Sequence, residues 1–138
     1  EKLRLFVYGS LLAGERDHEL LSGCECLGSF YTKPTYTLYD LGVFPALVVS
    51  GDSRVLGELY VIDRKTRFEI DVRKQYPALF DRAEIELEDG TRAEAYVMQL
   101  EQVRGKRKIK HGSFRDRFSP VPRARSHAPI VDWARKRF

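Results

Sequence analysis

Apolar and polar residues change rhythm several times along this chain, and each change marks an element. Leu3-Arg4-Leu5-Phe6-Val7-Tyr8 alternates and then turns apolar, which predicts a buried strand. It runs into Gly9-Ser10-Leu11-Leu12-Ala13-Gly14, a loop bracketed by glycines. Asp17-His18-Glu19-Leu20-Leu21 predicts a short helical turn closed by Gly23. Strands are predicted from Cys24 to Tyr31 and over Tyr36-Thr37-Leu38-Tyr39-Asp40, the latter rich in aromatic and β-branched residues. Leu41 to Pro45 reads as a turn, Ala46 to Ser50 as a short strand, and Gly51-Asp52 as another turn.

Val55-Leu56-Gly57-Glu58-Leu59-Tyr60-Val61-Ile62 carries the strongest strand signal. Asp63 then has the character of an N-cap for a helix over Arg64 to Lys74, which Pro77 stops. Arg82 to Glu88 alternates charge with Ala83, Ile85 and Leu87, and Asp89-Gly90 predicts a hairpin with a return strand over Thr91 to Leu100. Six or seven strands with one main helix predict an α+β domain, its mixed sheet curled or closed into a small β-barrel. Beyond Gly105 the chain is basic and irregular. Pro120 and Pro122 mark an extended segment there, and Ile130 to Phe138 predicts a short terminal helix carrying Trp133. The domain is expected over residues 1–117, with a basic C-terminal extension over 118–138.

Composition narrows the class. At 138 residues, 43% hydrophobic and 12% aromatic, the chain fits one globular domain able to bury a core. No apolar run approaches the roughly 20 residues that cross a bilayer, and the opening Glu1 to Phe6 has no signal-peptide core. The expectation is a cytoplasmic protein without membrane contact. The net charge of +4 hides an asymmetry: residues 1–102 carry 12 basic and 18 acidic side chains, residues 103–138 carry 12 basic and only Asp116 and Asp132. A basic tail on an acidic body can fold back, dimerise or reach for phosphate. The run Arg104-Gly105-Lys106-Arg107-Lys108-Ile109-Lys110 lacks the interleaved aromatics of a single-strand nucleic-acid platform, so a solvated loop or docking on the acidic body is preferred. Cys24 and Cys26 read as small apolar strand residues rather than a bridge or a metal site. His18, His111 and His127 show no pairing at helical or metal-ligand spacing, and no role is expected of them.

The candidate chemistry lies at Tyr8-Gly9-Ser10-Leu11. A glycine after a strand lets successive amides aim at one anion, although a Gly-Ser turn is more often merely a turn. No histidine–acid pair stands near Ser10 in sequence, so its hydroxyl is read as orienting a ligand rather than attacking one.

Further segments change that weighting. Phe6-Val7-Tyr8-Gly9-Ser10-Leu11 resembles the opening signature of the gamma-glutamylcyclotransferase-like superfamily. Asp40-Leu41-Gly42-Val43-Phe44-Pro45-Ala46-Leu47-Val48 resembles its glycine–aromatic–proline segment, and Val55 to Asp63 its glycine–glutamate strand. Ile70-Asp71, Tyr76 to Arg82, Ala95-Tyr96-Val97 and Ile109 to Phe114 are similar to its later segments, in order, over roughly residues 3–117. The resemblance implies release of 5-oxoproline from a gamma-glutamyl amine or peptide: the substrate's α-amine attacks its own γ-carbonyl, without cofactor. It implies a carboxylate-bearing ligand held by Tyr8, Gly9, Ser10 and Leu11, with Phe44, Pro45 and Tyr96 around it.

The resemblance also implies a catalytic glutamate at position 74, and this chain has Lys74, followed by Gln75. An ordinary lysine is protonated and offers no base unless burial lowers its pKa. Three readings stay open. The chain is a non-catalytic binding module for an anionic metabolite, its basic tail serving nucleic acid or an acidic partner. Or another carboxylate replaces the base, Glu69 being the leading candidate beside Asp71 and Glu58, although Glu58 is expected to pair with Arg82 or a backbone donor. Or Gln75 is a disabled base after a one-residue shift. Lys74 itself either caps the helix in solvent or enters the pocket. A monomer or a dimer is expected.

Overall fold

The computed structural model describes residues 2–118, so the expected extended segment and terminal helix beyond them lie outside the described residues. Eight strands are described: β1 (Lys2–Val7), β2 (Glu25–Tyr31), β3 (Tyr36–Asp40), β4 (Pro45–Ser53), β5 (Leu56–Asp63), β6 (Asp81–Glu86), β7 (Arg92–Val97) and β8 (Arg107–Lys108). Between β5 and β6 lies the α-helix α1 (Arg64–Arg73), and 3-10 turns cover His18–Leu21 and Leu100–Val103.

The strands form one mixed sheet in the order β2-β5-β1-β7-β4-β3-β8, with β6 on the other edge of β7. β1 runs antiparallel to β5, Leu5 opposite Tyr60, and parallel to β7, Leu5 opposite Glu94. β7 divides that edge between two neighbours, because β4 meets it at Leu47 opposite Val97. The sheet curls until its ends touch. Thr32 bridges to Leu87, the Lys33 amide donates to the Glu86 carbonyl (3.0 Å), and the Glu88 amide donates to the Tyr31 carbonyl (2.9 Å). The expected α+β class with a curled mixed sheet is therefore what the chain adopts.

Curling buries both faces of the central strands. Leu5 and Val7 of β1 join one apolar cluster with Tyr60, Ile62 and Ile70, while Phe6 and Tyr8 join a second with Leu38, Leu47 and Leu59. That explains the loss of alternation toward the end of β1: with both faces covered, neither needs polar residues. Gly57 has a related cause. A Cβ there would lie 2.2 Å from the Val7 carbonyl oxygen and 2.5 Å from the Phe6 ring.

The structure departs from the sequence reading in two places. Gly51-Asp52 lies inside β4, because Val48 pairs with Thr37 while Ser53 pairs with Tyr36 and the residues between bulge outward. The strand expected to reach Leu100 stops at Val97. Gln99 then caps a 3-10 turn through reciprocal bonds with Gln102, a local side-chain device that strand propensity does not reveal. The basic run, expected to be solvated or docked on the acidic body, pairs as β8 with β3 and bonds Asp40 through Arg107 at 2.6 Å while residues 104–108 stay exposed.

α1 begins as expected, the Asp63 carboxylate accepting from the Thr66 amide at 2.8 Å. It ends in a Schellman motif. The Gln75 amide donates to Val72 O (3.1 Å) and the Tyr76 amide to Asp71 O (2.9 Å), with Gln75 at φ 53°. That left-handed position favours glycine, so Gln75 holds a strained backbone at the residue after Lys74. Replacing Gln75 with Gly is expected to raise unfolding free energy by about 0.5–1 kcal/mol, read from urea melts with unchanged m-value.

Candidate functional site

β1 delivers Tyr8-Gly9-Ser10-Leu11 to one end of the sheet, and three other parts of the chain converge on it. Val7, Tyr8, Gly9, Leu11, Pro45, Lys74 and Tyr96 line a narrow cavity of about 10 Å³, room for roughly one water. Gly9 is fixed by contact rather than by an unusual φ. A Cβ on it would stand 2.5 Å from Cγ and 2.8 Å from Cδ of Pro45. Thus the aromatic–proline segment and the glycine turn are two halves of one contact. Phe44 does not line the cavity; its ring packs on Phe80 with centroids 5.6 Å apart.

The Tyr8 hydroxyl is fully committed. It donates to Tyr96 O (2.6 Å) and accepts from the Leu47 amide (3.1 Å), and burial pushes its pKa up. Tyr8 therefore supplies a ring to the wall and a clamp between β1, β4 and β7, not a free acid. The Tyr96 hydroxyl donates to Asp71 at 2.5 Å; burial, then that bond, raise its pKa. Asp71 also faces Arg82 at 3.4 Å, and Arg82 stacks on Tyr76 at 3.9 Å.

The loop amides stand apart from these networks. Among the described residues, no hydrogen bond is made by the amides of Gly9, Ser10 or Leu11, although the loop around them is well bonded. Leu12 N donates to Gly9 O (3.0 Å), Asp17 N donates to Ser10 O (2.8 Å), and Ala13 N donates to Glu58 Oε1 (2.9 Å). His18 Nδ1 lies 2.9 Å from Leu11 O and, facing a carbonyl, must carry the proton.

Glu58 is buried behind the loop. It accepts from Ala13 N and from the Tyr60 hydroxyl (3.0 Å) and lies 3.3 Å from Arg115. The backbone donor expected for Glu58 is present, but its arginine is Arg115, because Arg82 is held by Asp71. Glu69 is exposed on α1 and away from the cavity. It neighbours buried Ile70, and five residues along a helix rotate it well away from Lys74.

Lys74, the C-cap of α1, is turned inward. Its Nζ donates to Ser10 Oγ at 3.4 Å and sits 5.0 Å from the centre of the Phe80 ring. The Ser10 hydroxyl donates a hydrogen bond to Asp17 Oδ2 at 2.7 Å, and Asp17 is also paired with Arg73. Burial works to raise the Asp17 pKa, but the Ser10 bond and the charges of Arg73 and Arg16 win and hold it below the carboxylate range. Burial lowers Lys74 from 10.5 to about 8, against the attraction of Asp17. Asp17 and Arg73 had no signal in the sequence. Only the fold of the 10–17 loop onto the end of α1 brings them to Ser10.

A family model described as "Gamma-glutamyl cyclotransferase, AIG2-like" matches residues 5–116. The chain belongs to this family. A putative gamma-glutamylcyclotransferase of Vibrio cholerae is 43% identical over 95 residues, covering 69% of this chain and 81% of that protein. The gamma-glutamylcyclotransferase family protein YtfP of Escherichia coli K12 is 35% identical over 115 residues, covering 83% and 98%. The solution structure of Escherichia coli ytfP superposes with a TM-score of 0.67 at 34% identity, over 84% of this chain and 99% of that one. Among the described residues no group of three or more His, Cys, Asp or Glu could hold a metal ion, and no helix is long and apolar enough to cross a membrane.

A wider groove, about 370 Å³, runs between β4 and the β6–β7 pair past Val48, Ser50, Arg82 and Glu101. The cation in its lining, Arg82, faces Asp71 at 3.4 Å, and none of Tyr8, Gly9, Ser10, Leu11 or Lys74 lines this groove of the cyclotransferase-family chain.

The lysine makes stability depend on pH. Below about 8 both folded and unfolded chains carry its proton, and the folded state bears the desolvation of the charge. Between about 8 and 10.5 the folded chain has shed a proton that the unfolded chain still holds, so this contribution to stability rises with pH. Lys74→Met is expected to gain about 1–3 kcal/mol relative to the parent at neutral pH. That gain should shrink toward pH 10 in paired denaturant melts.

Proposed function

We propose that this chain releases 5-oxoproline from a gamma-glutamyl amine or peptide, with Lys74 carrying the proton that the family pattern gives to a carboxylate. The observation that carries the reading is the Lys74 amine, held at the cavity 3.4 Å from Ser10 Oγ with a pKa of about 8. A lysine lowered to that range is a competent general base, about a tenth of it neutral at pH 7.

The unbonded amides of Gly9, Ser10 and Leu11 suit the substrate's carboxylate and the oxyanion that develops on its γ-carbonyl. Neutral Lys74 takes one proton from the α-ammonium, and the freed amine attacks the γ-carbon. The carbon–nitrogen bond to the leaving group then breaks, and Lys74 returns the proton to that nitrogen. As the ring closes, the attacking nitrogen gives a second proton to the departing amine, so it keeps one hydrogen of the original three, the amine leaves as an ammonium, and no water is consumed. The cavity is too small for a gamma-glutamyl group as it stands. The long Nζ–Oγ contact and the flexible stem of Lys74 are what would yield.

A second reading has its own support. At neutral pH the same lysine is mostly protonated, and an ammonium beside free amides holds an anion without chemistry.

The test is 5-oxoproline release from a panel of gamma-glutamyl amines and dipeptides between pH 6 and 10. The expected rate rises about tenfold per pH unit below about 8 and levels above it, and is lost in Lys74→Met. Absence of product from every compound at every pH, with saturable binding of an acidic metabolite, would overturn catalysis and leave the binding module.

A further inference from the structure

We propose that Ser10 and Lys74 also form a nucleophile–base pair that moves short acyl groups from activated esters to water. The inference rests on Lys74 as a proton carrier, but it uses the serine as an attacking group, which cyclisation does not require.

The Ser10 hydroxyl has one proton and two lone pairs. With Lys74 protonated, Oγ accepts from Nζ at 3.4 Å and donates to Asp17 Oδ2 at 2.7 Å. Once Lys74 loses its proton, Oγ–H has two acceptors in reach. Their basicities decide where the proton goes during attack. The Asp17 carboxylate is weakened as a base by its bond to Ser10 and the charges of Arg73 and Arg16, whereas the amine retains a pKa of about 8. The proton therefore passes to Lys74, and Asp17 serves to hold the hydroxyl and the 10–17 loop in place. Lysine is an established partner for serine nucleophiles on other folds.

The surroundings set the substrate. The amides of Ser10 and Leu11, which no other described group uses, belong to the attacking residue and its neighbour in the chain and are assigned as donors to the tetrahedral oxyanion. The apolar walls, Val7, Leu11 and Pro45, leave little space, so the acyl group is short.

In the acylation step the Oγ–H proton moves to neutral Lys74 and Oγ bonds to the carbonyl carbon. The ester oxygen then leaves with the proton from Lys74. In the second step water gives a proton to neutral Lys74 and its oxygen bonds to the acyl carbon, the bond from that carbon to Oγ breaks, and Lys74 returns the proton to Oγ. One ester and one water yield one acid and one alcohol.

The experiment treats the full chain with p-nitrophenyl acetate and follows the intact mass, then locates the adduct by peptide mapping. The expected result is one acetyl group on Ser10, removed by hydroxylamine as an ester. It forms faster as pH rises through about 8 and is absent in Ser10→Ala and at least tenfold slower in Lys74→Met. Ser10→Cys, which preserves a nucleophile, should give a hydroxylamine-labile thioester at the same position. Acetylation confined to lysines, or a Ser10 adduct forming equally fast in Lys74→Met, would overturn the pair. Because this readout needs no gamma-glutamyl compound, its failure and a failure to release 5-oxoproline are distinguishable.

Discussion

A lysine ammonium taken out of water must find acceptors or give up its proton, and the rest of this site follows from how far each happens at Lys74. Among the described residues its one hydrogen-bond partner is Ser10 Oγ, which lies at 3.4 Å and already donates its hydrogen to Asp17. Asp17 attracts the ammonium but is shared with Arg73, so the compensation is incomplete and the pKa falls. The cost is borne by the folded state. A residue at the end of a helix could have pointed outward to water and avoided it. The inward placement instead puts a titratable amine beside Ser10 and the Phe80 ring, on the wall of the cavity that Gly9, Leu11 and Tyr96 also line.

Holding that amine there takes contacts from the whole sheet. Pro45 packs on Gly9 so tightly that no side chain fits, and Tyr8 ties β1 to both β4 and β7 through one hydroxyl. Glu58 and Arg115 secure the far side of the loop at Ala13, and His18 holds Leu11 O. The loop is therefore braced at several points while, among the described residues, the amides of Gly9, Ser10 and Leu11 are left unbonded, so the side chain that must move to admit a ligand is Lys74 rather than the loop.

Much of this was legible in the residues, and the limits of legibility have physical causes. The strand ending at Tyr8, the Asp63 cap and the Asp89-Gly90 hairpin announce themselves through local periodicity and turn chemistry, and each appears in the structure. The order of recognisable segments indicated the family, and the fold agrees. Long-range side-chain geometry was not readable. Glu69 looked as eligible as any carboxylate near Asp71, yet helical rotation turns it to solvent. Asp17, a loop residue with no motif around it, proves to be the partner of Ser10. Arg115, distant in sequence, takes the place beside Glu58 expected of Arg82. No histidine stands near Ser10 in sequence, and the side chain that reaches its hydroxyl is a lysine 64 positions away, which no local pattern announces.

The account depends most on the protonation of that lysine, which can be observed without any substrate. With lysine side chains carrying carbon-13, the Lys74 ε-methylene resonance, assigned by its loss in Lys74→Met, is followed by NMR as a function of pH. A midpoint near 8 is predicted. A midpoint close to 10.5, together with the shift of an exposed lysine, would contradict it: the amine would be a solvated cation at ordinary pH, with no base for either reaction.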